Sequence, residues 1–86
     1  MNQRSQTPDE RFLISLYQAA KKKGDLFAPF DSREIARSVG LKETALKNIV
    51  KHLAQANFVK KVDPALVYLT QRGCDFVIDE LSQRSV

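Results

Sequence analysis

The residues from Lys42 to Ala56 carry the side chains best suited to recognition chemistry. At about 100° per residue, amide, hydroxyl and ammonium groups fall on one side of a helix over this range. They are Thr44, Lys47, Asn48, Lys51 and Gln55. The opposite side carries an apolar stripe at i, i+3, i+4 and i+7, formed by Leu46, Ile49, Val50 and Leu53. Such a helix anchors itself in a small core and offers hydrogen-bonding groups outward, which is what a reader of the DNA major groove needs.

Basic side chains are concentrated around this helix. Residues 31–61 carry seven basic and three acidic side chains, a balance of +4, within a chain whose total net charge is +4. Residues 62–86 carry two basic and four acidic side chains, a balance of −2. A basic patch of this kind is the electrostatic signature of a phosphate-binding surface, although many proteins of other functions are mildly basic.

The residue types of the chain offer little support for a catalytic or metal-binding function. With one cysteine, Cys74, and one histidine, His52, the chain has no internal disulfide and no ligand set for tetrahedral zinc. His52 lies beside the apolar stripe and is expected to be a partly buried packing residue, because no nucleophile or carboxylate can be assigned to it. Cys74 is expected to behave as a small hydrophobe rather than a redox sensor. We expect no catalytic residue, no metal and no cofactor.

Capping signals predict where the helices begin and end. Thr7-Pro8-Asp9-Glu10 predicts a start at Thr7 with a capping box, and Gly24 ends that helix after three lysines. Asp31, with Glu34 three residues later, predicts a second, short helix that ends at Gly40. The third helix, from about Lys42 to Ala56, begins without a good side-chain cap. Asn57 tolerates the left-handed turn that would end it.

A β-hairpin and a last helix are predicted to follow. Residues 58–62 and 66–69 are rich in β-branched and aromatic side chains, and Asp63-Pro64-Ala65 between them favours a turn. Thr70 caps the last helix, whose inward positions are expected to be Cys74, Val77, Ile78 and Leu81. Residues 1–6 are expected to be a flexible tail and residues 7–86 a single domain. The polar N-terminal residues contain no apolar run typical of a signal peptide or membrane span, so the expected location is cytoplasmic.

The order of three helices, a two-stranded hairpin and a helix resembles a winged helix-turn-helix domain. Residues 40–53, GLKETALKNIVKHL, resemble the turn and recognition helix of the MarR-like group of bacterial transcriptional regulators. Residues 69–73, LTQRG, resemble the leucine-threonine-x-x-glycine junction between the wing and the following helix in that group. The resemblance covers about residues 31–82. It implies a mainly α fold with a small β-hairpin: a three-helix core, a two-stranded wing and a C-terminal helix.

The resemblance also implies roles for individual residues. The helix at about 42–56 would be the recognition helix, with Lys42, Glu43, Thr44, Lys47 and Asn48 facing base edges or nearby phosphates. Lys51 would reach the DNA backbone, and Lys60 and Lys61 on the first wing strand would flank it. Arg33 is a further candidate DNA-binding residue. Three features depart from the group's pattern: the short wing has no basic residue at its tip, Glu43 brings a negative charge close to phosphates, and the long terminal helices that build the dimer in that group are missing.

The expected function is therefore that of a small transcriptional regulator that binds double-stranded DNA. The alternative is a protein-docking module of the same fold in a transcription, replication or other assembly, and RNA is a further candidate ligand. Specific binding by so small a domain usually needs two copies on a twofold site. Apolar residues of the first and last helices are candidates for a homodimer contact: Phe12, Ile14, Phe76 and Leu81.

Overall fold

A computed structural model describes residues 7–63 and 65–84 of the chain. It contains, in order, α1 (Pro8–Lys23), β1 (Phe30–Asp31), α2 (Ser32–Ser38), α3 (Glu43–Gln55), β2 (Val59–Lys61), β3 (Leu66–Leu69) and α4 (Gln71–Arg84). The fold is mainly helical with a small antiparallel sheet, which confirms the predicted fold class of a mainly α domain with a small β component. The predicted tail at residues 1–6 and the turn residue Pro64 lie outside the described residues. None of the described helices is both long and apolar enough to cross a membrane.

The predicted caps of α1 are confirmed. The Thr7 hydroxyl accepts a hydrogen bond from the Glu10 backbone N–H at 3.1 Å, and the Glu10 carboxylate accepts one from the Thr7 N–H at 3.0 Å. Together these bonds form a capping box, which satisfies two backbone donors at the helix start. At the other end, Gly24 adopts φ 91°, a left-handed conformation that glycine adopts without strain.

The turn between α2 and α3 is held by local caps and by one contact from α1. The Asp31 carboxylate caps α2 by accepting from the Arg33 N–H at 2.9 Å, and Gly40 turns the chain with φ 72°. The Arg11 guanidinium of α1 donates to the Val39 carbonyl at 2.7 Å, satisfying a carbonyl at the end of α2. As predicted, α3 has no side-chain cap at Lys42. The Arg11–Val39 bond thus joins α1 to the turn that precedes α3.

The sheet has three strands, which corrects the prediction of a two-stranded wing. Its order is β1-β3-β2, and both pairings are antiparallel. Phe30 and Asp31, which were not predicted to form a strand, pair with Val67 and Leu66 on the edge of β3 that the hairpin leaves open. The Ser32 N–H continues this pairing by donating to the Ala65 carbonyl at 2.8 Å. The start of α2 is thereby attached to the hairpin.

The core lies around α1, which packs against α2, α3, α4 and β3. Because these partners surround the helix, side chains on several of its sides are covered, including Phe12 and Ile14. The expectation that Phe12 and Ile14 are available for a dimer contact is therefore wrong. Conversely, Ile78 was expected to point inward but is 46% exposed. The largest fully buried side chains are Phe12, Leu13, Leu16, Leu69, Val59, Val67, Val77 and Cys74.

The junction between β3 and α4 joins three parts of the fold. Thr70 caps α4 by accepting from the Gly73 N–H at 3.0 Å, and its hydroxyl donates to the Asn57 carbonyl just after α3. The Thr70 N–H donates to the Phe58 carbonyl at 3.1 Å. Gly73 lies so close to that carbonyl that a Cβ at this position would overlap with its oxygen. Asn57 has φ 65°, which confirms the predicted left-handed exit from α3.

Candidate nucleic-acid interface

The two sides of α3 differ in burial as the sequence predicts. The apolar stripe is buried: Leu46, Ile49, Val50 and Leu53. The polar side is exposed along the length of the helix: Thr44, Lys47, Asn48, Lys51 and Gln55. The amide and ammonium groups of α3 are therefore accessible to a ligand that approaches from outside.

A groove of about 980 Å³ runs beside this polar side and separates α3 from the hairpin. One wall consists of α3 side chains, among them Lys47, Asn48 and Lys51. The other wall comes from the start of α2 and from the hairpin: Ser32, Arg33, Lys61 and Ala65. Leu46, Val50 and Ala54 contribute apolar surface to the groove. The groove thus combines an apolar base with polar and cationic walls.

Backbone hydrogen bonds hold the hairpin wall in place. The Ser32–Ala65 bond at 2.8 Å joins the first residue of α2 to the hairpin turn. Within that turn, the Asp63 carboxylate accepts from the Ala65 and Leu66 N–H groups at 2.8 and 2.9 Å. These two bonds favour the charged form and hold the pKa of Asp63 below its ordinary value. Arg33 follows Ser32 directly and Lys61 lies two residues before Asp63, so these bonds keep both cations on the same side of the groove.

The groove carries an excess of positive charge. Arg33, Lys47, Lys51 and Lys61 line it, and among the described lining residues Glu43 alone is acidic. The Arg33 guanidinium lies 3.6 Å from the Asp31 carboxylate, but its side chain is 58% exposed, so solvent screens that pair. A polyanion that enters the groove meets cations on both walls.

The structure brings some of the predicted site residues together and places others apart. Arg33, Lys47, Asn48, Lys51 and Lys61 share the groove. Three further predicted residues are exposed but are not among its lining residues: Lys42, Thr44 and Lys60. Successive side chains of a strand point to opposite faces, so Lys60 and Lys61 of β2 do not face the same ligand.

The sequence analysis missed the lining residues where α2 meets the hairpin. Ser32 and Ala65 meet at the groove because their backbones are hydrogen-bonded, through an extension of the β1–β3 pairing. That pairing joins segments more than 30 residues apart, and β1 has only two residues, too few for a strand pattern to be recognised. No local signal in the sequence indicates this contact.

Comparison with known proteins gives no match: no protein-family model, no curated protein and no solved structure matches the chain. Within residues 7–63 and 65–84, no group of three or more His, Cys, Asp or Glu side chains is placed to hold a metal ion. The functional assignment therefore rests on the geometry and charge of the groove.

His52 and Cys74, the remaining candidates for chemistry, lie away from the groove. His52 was expected to be partly buried, but its side chain is 62% exposed, and its Nδ1 lies 3.7 Å from Oδ2 of Asp9. The prediction was wrong because the first turn of α1, which carries Asp9, reaches this edge of α3 but leaves the His52 side chain open to solvent. Cys74 is buried, as predicted. Burial, with a smaller contribution from the neighbouring Asp75 charge, raises the pKa of its thiol, so the unreactive protonated form is favoured.

Proposed function

We propose that the chain is a winged helix-turn-helix protein that binds duplex DNA through α3 and acts as a small transcriptional regulator. The observation that carries the proposal is the exposed amide and ammonium side of α3 beside a groove with cations on both walls. A helix of this kind fits the major groove, whose base edges present donors and acceptors in a distinct pattern for each base pair.

The local structure supports the resemblance on which the fold assignment rests. Two segments carry the resemblance, residues 40–53 and residues 69–73. The structure gives a physical reason for the residue type at several of their positions. Gly40 supplies the positive φ of the turn before α3. Thr70 caps α4, and Gly73 permits the close approach of α4 to the Phe58 carbonyl.

In the proposed complex, one strand of the DNA backbone lies along the groove. Arg33 and Lys61 attract its phosphates from one wall and Lys51 from the other, while Asn48 reaches the base edges. A side-chain amide can pair with both N6 and N7 of adenine, which makes Asn48 the principal base-reading residue. The protein acts by occupying DNA and makes or breaks no covalent bond.

A salt series of binding to random duplex DNA tests the proposal. Each phosphate contact that is lost should reduce the slope of log K against log salt by about 0.9. Lys51→Gln and Lys61→Gln should each weaken binding to all sequences and reduce the slope by about 1. Arg37→Gln is the matched control, because Arg37 is an exposed cation of α2 that does not line the groove. Equal effects of all three substitutions would show that net charge alone drives binding.

The apolar base of the groove supports a second candidate function, the docking of a protein. An amphipathic segment with acidic side chains would place its apolar side on Leu46, Val50 and Ala54 and its carboxylates near the cationic walls. A docking module of this kind would show little affinity for duplex DNA even at low salt, and it would bind an acidic amphipathic peptide in a way that depends on Ala54, which is partly exposed in the groove.

A further inference from the structure

Glu43 places a carboxylate in an otherwise cationic groove. It is the first residue of α3, its side chain is exposed, and it lines the groove together with Lys47 and Asn48. A carboxylate next to a DNA backbone repels the phosphates, since like charges close together are unfavourable. If the groove served phosphate attraction alone, a neutral residue at this position would bind DNA better.

The fold gives Glu43 no specific partner. Within residues 7–63 and 65–84, its carboxylate takes part in no resolved hydrogen bond or ion pair, although Lys47 is one turn away on the same helix. An acidic side chain in the first turn does complement the helix dipole. Glu34 is also an exposed acidic residue in the first turn of its helix, α2, but it does not line the groove. Glu34 therefore separates the effect of the dipole from that of the groove.

We propose that Glu43 reads cytosine, by accepting a hydrogen bond from the N4 amino group in the major groove. The inference rests on the proposed function, because it assigns the base preference of the same site. Carboxylates are the side chains that accept from cytosine N4, and a base edge lies further from the backbone charges than a phosphate does. Glu43 and Asn48 are five positions apart on α3, which is about 7.5 Å along the helix axis and about 140° around it, so their side chains meet different base pairs. The preferred site therefore contains a cytosine at a base pair other than the one whose adenine Asn48 reads.

The test is selection of preferred duplexes from a random library by the wild-type protein and by Glu43→Gln. We expect the wild-type site to contain the cytosine, and replacement of that C·G pair by T·A to weaken wild-type binding by about 5- to 150-fold. Because glutamine pairs with adenine N6 and N7, Glu43→Gln should change the preference at this one position from cytosine to adenine. Glu34→Gln, the matched control, should leave the selected site unchanged.

The outcomes separate this inference from the function on which it rests. If Glu43→Gln binds every duplex more tightly and selects the same site as the wild type, Glu43 merely repels DNA and the cytosine assignment is overturned. If the wild-type protein binds no duplex at low salt, the proposed function itself fails. The C·G to T·A replacement uses wild-type protein, so it decides the assignment even if a variant does not fold. Equal affinity for the two duplexes would overturn it.

Discussion

Replacing Gly73 by alanine should destabilise the protein, although alanine is the better helix former. Gly73 is a buried residue in the first turn of α4. In an open helix the change would be favourable by about 1 kcal/mol, because glycine loses more backbone entropy on folding. Here the new Cβ would overlap with the Phe58 carbonyl oxygen and approach the Leu69 side chain to 3.0 Å. Since the obstacle is backbone, α4 or the segment after α3 has to move.

The expected magnitude follows from what that movement disturbs. Forced backbone shifts in a packed region cost about 1–3 kcal/mol. Moving α4 away from Phe58 also strains the bonds of Thr70 to the Phe58 and Asn57 carbonyls, each with a net contribution of about 0.5–1.5 kcal/mol. After subtraction of the helix-propensity gain, we expect a net loss of about 1–3 kcal/mol. For a domain of this size, each kcal/mol lowers Tm by about 4–8 °C.

Urea and thermal unfolding followed by far-UV circular dichroism measure this loss. Gln71→Ala is a suitable control, because Gln71 is an exposed residue of the same helical turn and makes one side-chain hydrogen bond, to Asp75. It should change stability by less than about 0.5 kcal/mol. A higher Tm for Gly73→Ala would show that the close approach to the Phe58 carbonyl does not restrict this position, since that approach alone makes the expected change in stability a loss.

Three further predictions concern single side chains. Asn48→Ala should cost about 1–3 kcal/mol of binding on the preferred DNA site and little on random duplex, and equal losses on both in a competition assay would contradict base reading. The buried Cys74 should react with a thiol reagent only as the protein unfolds, so its rate should rise with urea in parallel with the unfolded fraction, and fast labelling of the native protein would contradict its burial. Because two backbone N–H groups lower the pKa of Asp63, its contribution to the turn should be present above pH 3.8 and be lost as pH falls through the lower folded pKa. In an NMR titration, the chemical shifts of the Ala65 and Leu66 amides should therefore change with a midpoint below pH 3.8. This transition should be absent in Asp63→Asn.

The elements fixed by local interactions could be predicted from the sequence. The capping box of α1, the Asp31 cap of α2 and the left-handed turns at Gly40 and Asn57 each depend on residues within a few positions. The amphipathic pattern of α3 was likewise predictable, because one residue spacing decides both the buried stripe and the exposed side. The candidate recognition side chains therefore follow from the sequence.

What the sequence could not supply was the packing between distant segments. The strand β1 exists because β3 offers an unpaired edge, and its two residues carry no pattern of their own. Ile14 is buried as well as the core-facing stripe of α1 because α1 lies at the centre of the fold, which a single amphipathic stripe does not indicate. The exposure of His52 could not be predicted either, because the sequence does not show how far a neighbouring helix covers the surface of α3.

Different residues determine the shape of the groove and its charge. The proposed function can therefore be tested by changing the charge alone. The Ser32–Ala65 bond, the turn bonds of Asp63 and the Arg11–Val39 bond set the positions of the walls. The cations Lys47, Lys51 and Lys61 project from these walls into solvent and take no part in that framework. Their replacement should change binding while leaving stability within about 0.5 kcal/mol. Loss of DNA affinity without loss of Tm would therefore report on the surface itself, whereas loss of both would point to a fold that depends on these lysines.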